Sequence, residues 1–227
     1  QLRFIQQTAR NFSSTRQDLT EKLAQLKAMI FSRDNLTINI TAETAGMKLA
    51  KDNISGLLSK LPAAVNKQKQ PLPLLPSVRA GIAVPTQVSY VARVLKAPAY
   101  VDPAAAMLMV AARELSNSYL YKHIRVQGGA YGGMSSYEPS LGLFSFLSYR
   151  DPHLAQTFKV FQDAEAFFAN NEISAEDMEK AVISTIGMLD RPMDPASRGH
   201  AALMRSIAGI TDKMRQEFRD QILTATP

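Results

Sequence analysis

The sequence predicts an α+β fold, an antiparallel or mixed sheet with long helices packed on one face. Three observations predict it. Long segments repeat apolar residues at three- and four-residue spacing, as amphipathic helices do, and they outnumber the short alternating segments that read as strands. The strand-like segments gather as antiparallel neighbours, one pair joined at Pro139-Ser140. No strand-helix-strand unit repeats, which sets aside a doubly wound parallel sheet. At 227 residues, 46% hydrophobic and 20% charged, the chain is long enough to bury a core and too apolar to be disordered.

Residues 1 to about 30 read as a helix, with Leu19, Leu23, Leu26 and Ile30 on one face. Leu36 to Thr41 alternates as a half-buried strand does, and Met47 to Leu61 returns to helical spacing. Pro71, Pro73 and Pro76 punctuate a stiff connector running from Pro62 to about Ser77, because each proline fixes φ and removes an amide donor. A boundary is expected there, dividing a helix-strand-helix segment and its connector (1–76) from an α+β domain (77–227). Ser77 to Val84 and Gln87 to Leu95 read as two strands separated at Pro85, meeting at an edge or bulge. Asp102-Pro103 supplies a cap and first-turn proline for a helix to about Lys122, with Met107, Val110, Ala111, Leu115 and Tyr119 on one side. Gly128 to Tyr137 and Leu141 to Tyr149 are expected as neighbouring antiparallel strands beneath that helix. Asp151-Pro152 starts a second long helix striped by Leu154, Phe158, Phe161 and Phe168. Ser174-Ala-Glu-Asp177 starts a third as an approximate capping box. A helix from Ala196 to about Gly209 and a short charged one after Thr211-Asp212 close the sequence. With no closing strand before Pro227 and no initiator Met at Gln1, the sequence reads as a piece of something longer.

Composition excludes several chemistries. The absence of cysteine removes disulfides, thiolate nucleophiles and zinc-ribbon sites. His123, His153 and His200 are too far apart for HExxH or HxxEH, so the chain holds no helix-borne catalytic zinc of its own. Net charge is +6, with 12 Lys/Arg against 5 Asp/Glu in residues 1–79 and 14 against 15 thereafter. Lys60, Lys67 and Lys69 flank the connector without the interleaved aromatics of a nucleic-acid surface, so no nucleic-acid partner is expected. The longest apolar run, Ala104 to Ala112, has nine residues, against roughly 20 for a membrane-spanning helix.

Gly128 to Gly133 is glycine-rich, but a helix precedes it and a strand comes after it, the reverse of a phosphate loop. Its small residues leave room for an extended backbone to approach. Beside it stand Arg125, with five donors and a permanent charge, and Tyr131, whose hydroxyl suits a developing oxyanion. Each also has a structural reading: the arginine as a partner of helix-end carbonyls, the tyrosine as strand packing. His123 reads as a surface or capping histidine, and Glu172, Glu176, Asp177 and Glu179 as helix N-terminal acids.

The string His123-Ile-Arg-Val-Gln-Gly-Gly-Ala-Tyr-Gly-Gly133, together with Gly142 to Pro152, resembles the last quarter of the presequence-protease members of the pitrilysin/insulinase family of zinc metallopeptidases. Val84 to Val91, Ala181 to Gly187 and Ser206 to Gln221 are similar to further family segments in the same order, and the likeness is strongest from 82 to 152. The resemblance implies a parent of four similar α+β domains forming two halves that close around a chamber. Zinc, held by HxxEH and a distant Glu, belongs to the N-terminal half, and none is expected in this chain. Arg125 and Tyr131 match the arginine and tyrosine that the last domain contributes, so the resemblance makes Arg125 a holder of the substrate backbone or carbonyl and Tyr131 a stabiliser of the tetrahedral intermediate. Gly128, Gly129 and Ala130 are implied as substrate-binding. The implied partners are the zinc-bearing half and an unstructured peptide such as a cleaved presequence, with the parent soluble in a bacterial cytoplasm or an organelle matrix. The alternative reading is a non-catalytic structural or processing-subunit-like member of the same family.

Overall fold

The computed structural model describes residues 2–63, 78–170 and 172–226. Most of the Pro-rich connector, including Pro71, Pro73 and Pro76, lies outside them. The chain divides into two units, residues 1–79 with 194–200 and residues 80–193 with 201–227.

In the first unit the long N-terminal helix is two, α1 (Leu2–Arg10) and α2 (Phe12–Ile30), interrupted at Asn11, whose carbonyl accepts the Ser14 and Thr15 hydroxyls. Helix α3 (Thr44–Lys60) lies over the expected helical segment. The expected strand at 36–41 does not form. Its residues are extended, but no strand among the described residues pairs with them, and Leu36 and Ile38 stay exposed. Alternation reports which side chains share a face; a ladder also requires a partner backbone.

The second unit holds a three-stranded antiparallel sheet, β1 (Ser89–Lys96), β2 (Gly132–Glu138) and β3 (Leu143–Asp151), in the order β1-β3-β2. The strand expected at 77–84 is absent among the described residues, for the same reason as 36–41: Val78, Ile82 and Val84 are all exposed, with nothing to pair against. The same unit holds α4 (Ala104–Asn117), α5 (Ala155–Asn170), α6 (Ala175–Leu189), α8 (Asp212–Leu223) and the later residues of α7 (Pro195–Ala208), whose first residues belong to the first unit. An α+β architecture with helices on one sheet face is therefore what this unit has.

The caps explain the helix starts. Asp102 Oδ1 accepts the Ala104 amide at 2.9 Å, Ser174 Oγ that of Asp177 at 3.1 Å, and Thr211 Oγ1 that of Met214 at 3.2 Å. Buried Asp151 accepts the His153 amide (2.8 Å) and the Thr157 hydroxyl (2.7 Å), anchoring the entry to α5.

One face of the sheet carries the core. Phe144, Phe146 and Ser148 of β3, with Val91 and Tyr137, turn toward Ala105, Val110, Leu115, Leu120, Phe161 and Ile222. Burying side chains of this size contributes about 1.5–3 kcal/mol each. Of the apolar residues expected on the first long helix, Val110 and Leu115 of α4 and Tyr119 just beyond it are buried, whereas Met107 is exposed; of those expected on the second, Phe161 of α5 is buried, while Phe158 and, just before the helix, Leu154 are exposed. Polar ties fix the layers. Ser116 Oγ accepts the Ser135 amide (2.9 Å), and Ser135 Oγ donates to the Ala112 carbonyl (2.7 Å), so α4 satisfies an outward-facing amide of edge strand β2. On the other edge, Arg93 Nη1 donates to the Phe161 carbonyl at 2.8 Å. On the opposite sheet face Val94, Met134 and Tyr149 are exposed.

Candidate functional site

Beyond Asn117 the helical path does not end at Lys122 as the sequence suggested. It passes into a π-helical turn, Tyr121–Val126, in which the Gln127 amide reaches back five residues to the Lys122 carbonyl at 3.0 Å. Such turns contain one residue more than an α-helix allows and recur at functional sites. Here the turn buries Ile124 and leaves Arg125 exposed.

The glycines then bring the chain back sharply. Gly129 has φ +71°, and the amides of Gly129 and Ala130 bond the Arg125 and Ile124 carbonyls at 3.1 Å each. A Cβ at Gly128 would lie 2.6 Å from the Ile124 carbonyl oxygen, so only glycine fits there. Gly128 and Ala130 are buried and Gly129 is exposed. Residues 128–131 thus form the turn before β2 rather than its first residues, correcting the expected start of that strand at Gly128: the amides of Gly129 and Ala130 are already taken by the π-turn. The Tyr131 amide reaches the Arg150 carbonyl at 3.4 Å, and regular pairing begins at Gly132 opposite Tyr149.

This turn brings Arg125 and Tyr131 together. The guanidinium carbon lies 5.9 Å from the Tyr131 ring centroid and 5.6 Å from that of Tyr121, within cation–π range of both. Tyr131 is 65% exposed. Among the described residues no carboxylate pairs with Arg125, and nothing hydrogen-bonds its guanidinium or the Tyr131 hydroxyl. Six donor hydrogens, five on the arginine and one on the tyrosine, therefore face solvent from rings and planes that hold each other. This can bind and polarise a carbonyl or carboxylate oxygen.

Tyr131 in turn meets Tyr149 edge-on, with centroids 5.7 Å apart and planes at 72°, and Tyr149 meets Tyr90 at 5.3 Å and 74°. Sequence reasoning missed Tyr90, Tyr121 and Tyr149. Their signal was only that each sits near the end of a predicted element, which does not say that the ends converge. The histidines do not join the site. His123 packs against Tyr119 (4.6 Å), the His153 amide serves the Asp151 cap, and His200 is exposed on α7. No group of three or more His, Cys, Asp or Glu side chains able to hold a metal ion occurs among the described residues.

The family described as the PreP C-terminal domain matches residues 79–226. The chain belongs to that family. Presequence protease 1 of Arabidopsis thaliana, chloroplastic and mitochondrial, is 29% identical over 232 residues, covering 99% of this chain and 21% of that protein. The mitochondrial presequence protease of Saccharomyces cerevisiae is 29% identical over 221 residues, covering 94% of this chain and 22% of that protein. The chain thus spans about a fifth of the length of these curated relatives. Among solved structures, the peptidase M16 inactive domain of Pseudomonas fluorescens superposes with a TM-score of 0.57 at 18% identity, covering 85% of this chain and 46% of that one. A Bordetella parapertussis chain described as the inactive peptidase domain of a candidate zinc protease gives 0.53 at 20%, covering 63% of this chain and 84% of that one. At such identities these two likenesses concern the fold alone. As a PreP C-terminal domain, the second unit has the fold of M16 peptidase domains, and no helix among its described residues is long and apolar enough to cross a membrane.

Proposed function

We propose that this PreP C-terminal domain is the substrate-binding and site-completing part of a zinc metalloendopeptidase that degrades unstructured peptides such as cleaved presequences. The observation that carries the reading is the exposed pair Arg125 and Tyr131, within cation–π range of each other and with no hydrogen-bond acceptor for the guanidinium or the hydroxyl among the described residues. The described residues offer no group that fits a zinc site, and the three histidines lie far apart in the sequence, so in this reading the metal belongs to an N-terminal half of the parent that closes on this one. Support for that partner comes from the chain's one-fifth share of its presequence-protease relatives and from structural neighbours described as inactive domains. The mitochondrial and chloroplastic names of relatives favour an organelle matrix, with a bacterial cytoplasm as the alternative. The division into residues 1–76 and 77–227 belongs to the same proposal.

In this reading the Arg125 guanidinium holds a peptide carbonyl or carboxylate by its planar fork, exposed Gly129 lets the peptide backbone lie close, and buried Gly128 and Ala130 contribute by holding the turn. The Tyr131 hydroxyl donates to the scissile carbonyl oxygen as that oxygen gains charge. Closure of the halves excludes water and strengthens both contacts. The test is single-turnover cleavage of an unstructured peptide by the full parent, with peptide affinity measured in parallel. Tyr131→Phe is expected to slow the chemical step about a hundredfold, on the order of 3 kcal/mol, with little change in affinity. Arg125→Lys is expected to weaken both. Wild-type turnover in Tyr131→Phe would favour the structural or processing-subunit-like member.

A further inference from the structure

β3 contains one residue more than its partner. Ser89 pairs with Asp151 and Val91 with Ser148, so two residues, Tyr149 and Arg150, face the single Tyr90. This is a β-bulge, a feature that redirects side chains at the ends of sheets. Its second residue, Arg150, has φ +50°, the one positive φ on a non-glycine residue among the described residues. Such a conformation persists only where its surroundings hold it.

The consequence is a change of parity. Along β3 the even-numbered Phe144, Phe146 and Ser148 are buried on the helix side, and period-two alternation would bury residue 150 next. Instead Arg150 is exposed, and odd-numbered Asp151 is buried, where it caps the entry to α5 through the His153 amide and the Thr157 hydroxyl. The bulge therefore lets one strand end place a buried cap on one face while Tyr149 stays on the open face. There Tyr149 lies between Tyr90 and Tyr131, and the Arg150 carbonyl takes the Tyr131 amide. Apart from Arg125, the Tyr149 ring is the only ring or cation found against Tyr131 among the described residues.

We infer that the Tyr149-Arg150 bulge is the positioning device of the site: Tyr149 fixes the direction of the Tyr131 ring and hydroxyl, and Arg150 fixes where the Tyr131 backbone enters β2. Neither is a catalytic residue; both act through Tyr131. The kinetic side of this assignment rests on the substrate-facing reading proposed for Tyr131, whereas the geometric side does not.

Two readouts separate the two. First, the chain is labelled with 3-fluorotyrosine, and the Tyr131 resonance is assigned by its loss in Tyr131→Phe. Tyr149→Leu is expected to shift that resonance and Tyr149→Phe to leave it nearly in place, because the ring, not its hydroxyl, makes the contact. Arg150→Gly, which accepts φ +50° freely, is expected to preserve the Tyr131 resonance, whereas Arg150→Val is expected to move it. An unmoved resonance in both Tyr149→Leu and Arg150→Val overturns the inference whatever the parent's activity. Second, in the full parent Tyr149→Leu is expected to lower kcat on the order of tenfold with KM nearly unchanged, since small misplacements of a donor act on the chemical step. Tyr149→Phe should restore the rate, and the loss should vanish in a Tyr131→Phe background. An equal loss in that background overturns the inference. Should Tyr131→Phe itself be silent while the resonances move as expected, the positioning stands and the functional reading falls.

Discussion

Ser148 carries an unmet polar group within the core face of β3: its Oγ is buried and has no hydrogen-bond partner among the described residues. An unsatisfied buried hydroxyl costs about 1–3 kcal/mol of desolvation, whereas its removal leaves only a small void. Ser148→Ala is therefore expected to raise stability by about 1 kcal/mol, read as the shift of the urea midpoint at unchanged m-value. Gly128 behaves oppositely. A methyl there would press on the Ile124 carbonyl, so Gly128→Ala is expected to cost about 1–3 kcal/mol by the same measurement and to displace the π-turn bearing Arg125. At this scale the residues alone left Arg125 and Tyr131 open between a structural and a functional role, and only the family resemblance singled them out as a pair, which the fold brings side by side. The sequence was silent about Arg150. Left-handed backbone is ordinarily signalled by glycine or asparagine, and an arginine in that conformation is set by Asp151 and Tyr149 on either side, which are tertiary facts.

Helices were legible where their caps are local. Asp102, Ser174 and Thr211 each accept an amide within three residues, so the same short strings that suggest a start also make it. The strands expected at 36–41 and 77–84 do not form among the described residues, since alternation cannot report a missing partner. Helices α6 and α8 meet through a contact of still longer range. Arg219 donates to Asp190 through Nη2 (2.7 Å) and Nε (3.2 Å), and this hydrogen bond, with the guanidinium charge, holds the Asp190 carboxyl below the ordinary carboxylate range. A carboxyl with a lowered folded pKa stabilises above its unfolded value of about 3.9 and loses that contribution as pH falls through the folded value. The thermal midpoint of the wild type is thus expected to fall more steeply below about pH 4 than that of Asp190→Asn. Parallel curves for the two would remove the pair from any role in acid stability.

Across the whole molecule, protection should track the position of each strand. β3 is paired on both sides and buries Phe144 and Phe146, while β1 and β2 are edges. Hydrogen exchange on the 227-residue chain is expected to be slowest in β3, and slower at Ser135 than at other outward amides of β2 because Ser116 holds it. Exchange of residues 36–41 should be fast, for want of a ladder. Fold class was visible at this scale because it depends on the order and period of many residues at once; convergence of the element ends was not, because it depends on where single irregularities fall.

Those irregularities have a common arithmetic. The π-turn adds one residue to a helix, and the bulge adds one to a strand; each shifts the phase of the residues after it, and both shifts terminate on Tyr131, one through the chain that leads into it and the other through the strand beside it. The site is thus encoded partly in chain length. A single deletion in residues 121–126 that regularised the turn to an α-helix would leave every side chain named in the core present, yet would rotate Arg125 by about a hundred degrees around its axis, away from the tyrosine. Lineages of this fold that carry such a deletion should keep the domain and lose the Arg125–Tyr131 pairing, and counting residues between the Asp102 cap and the tyrosine would sort them without reference to a single side chain.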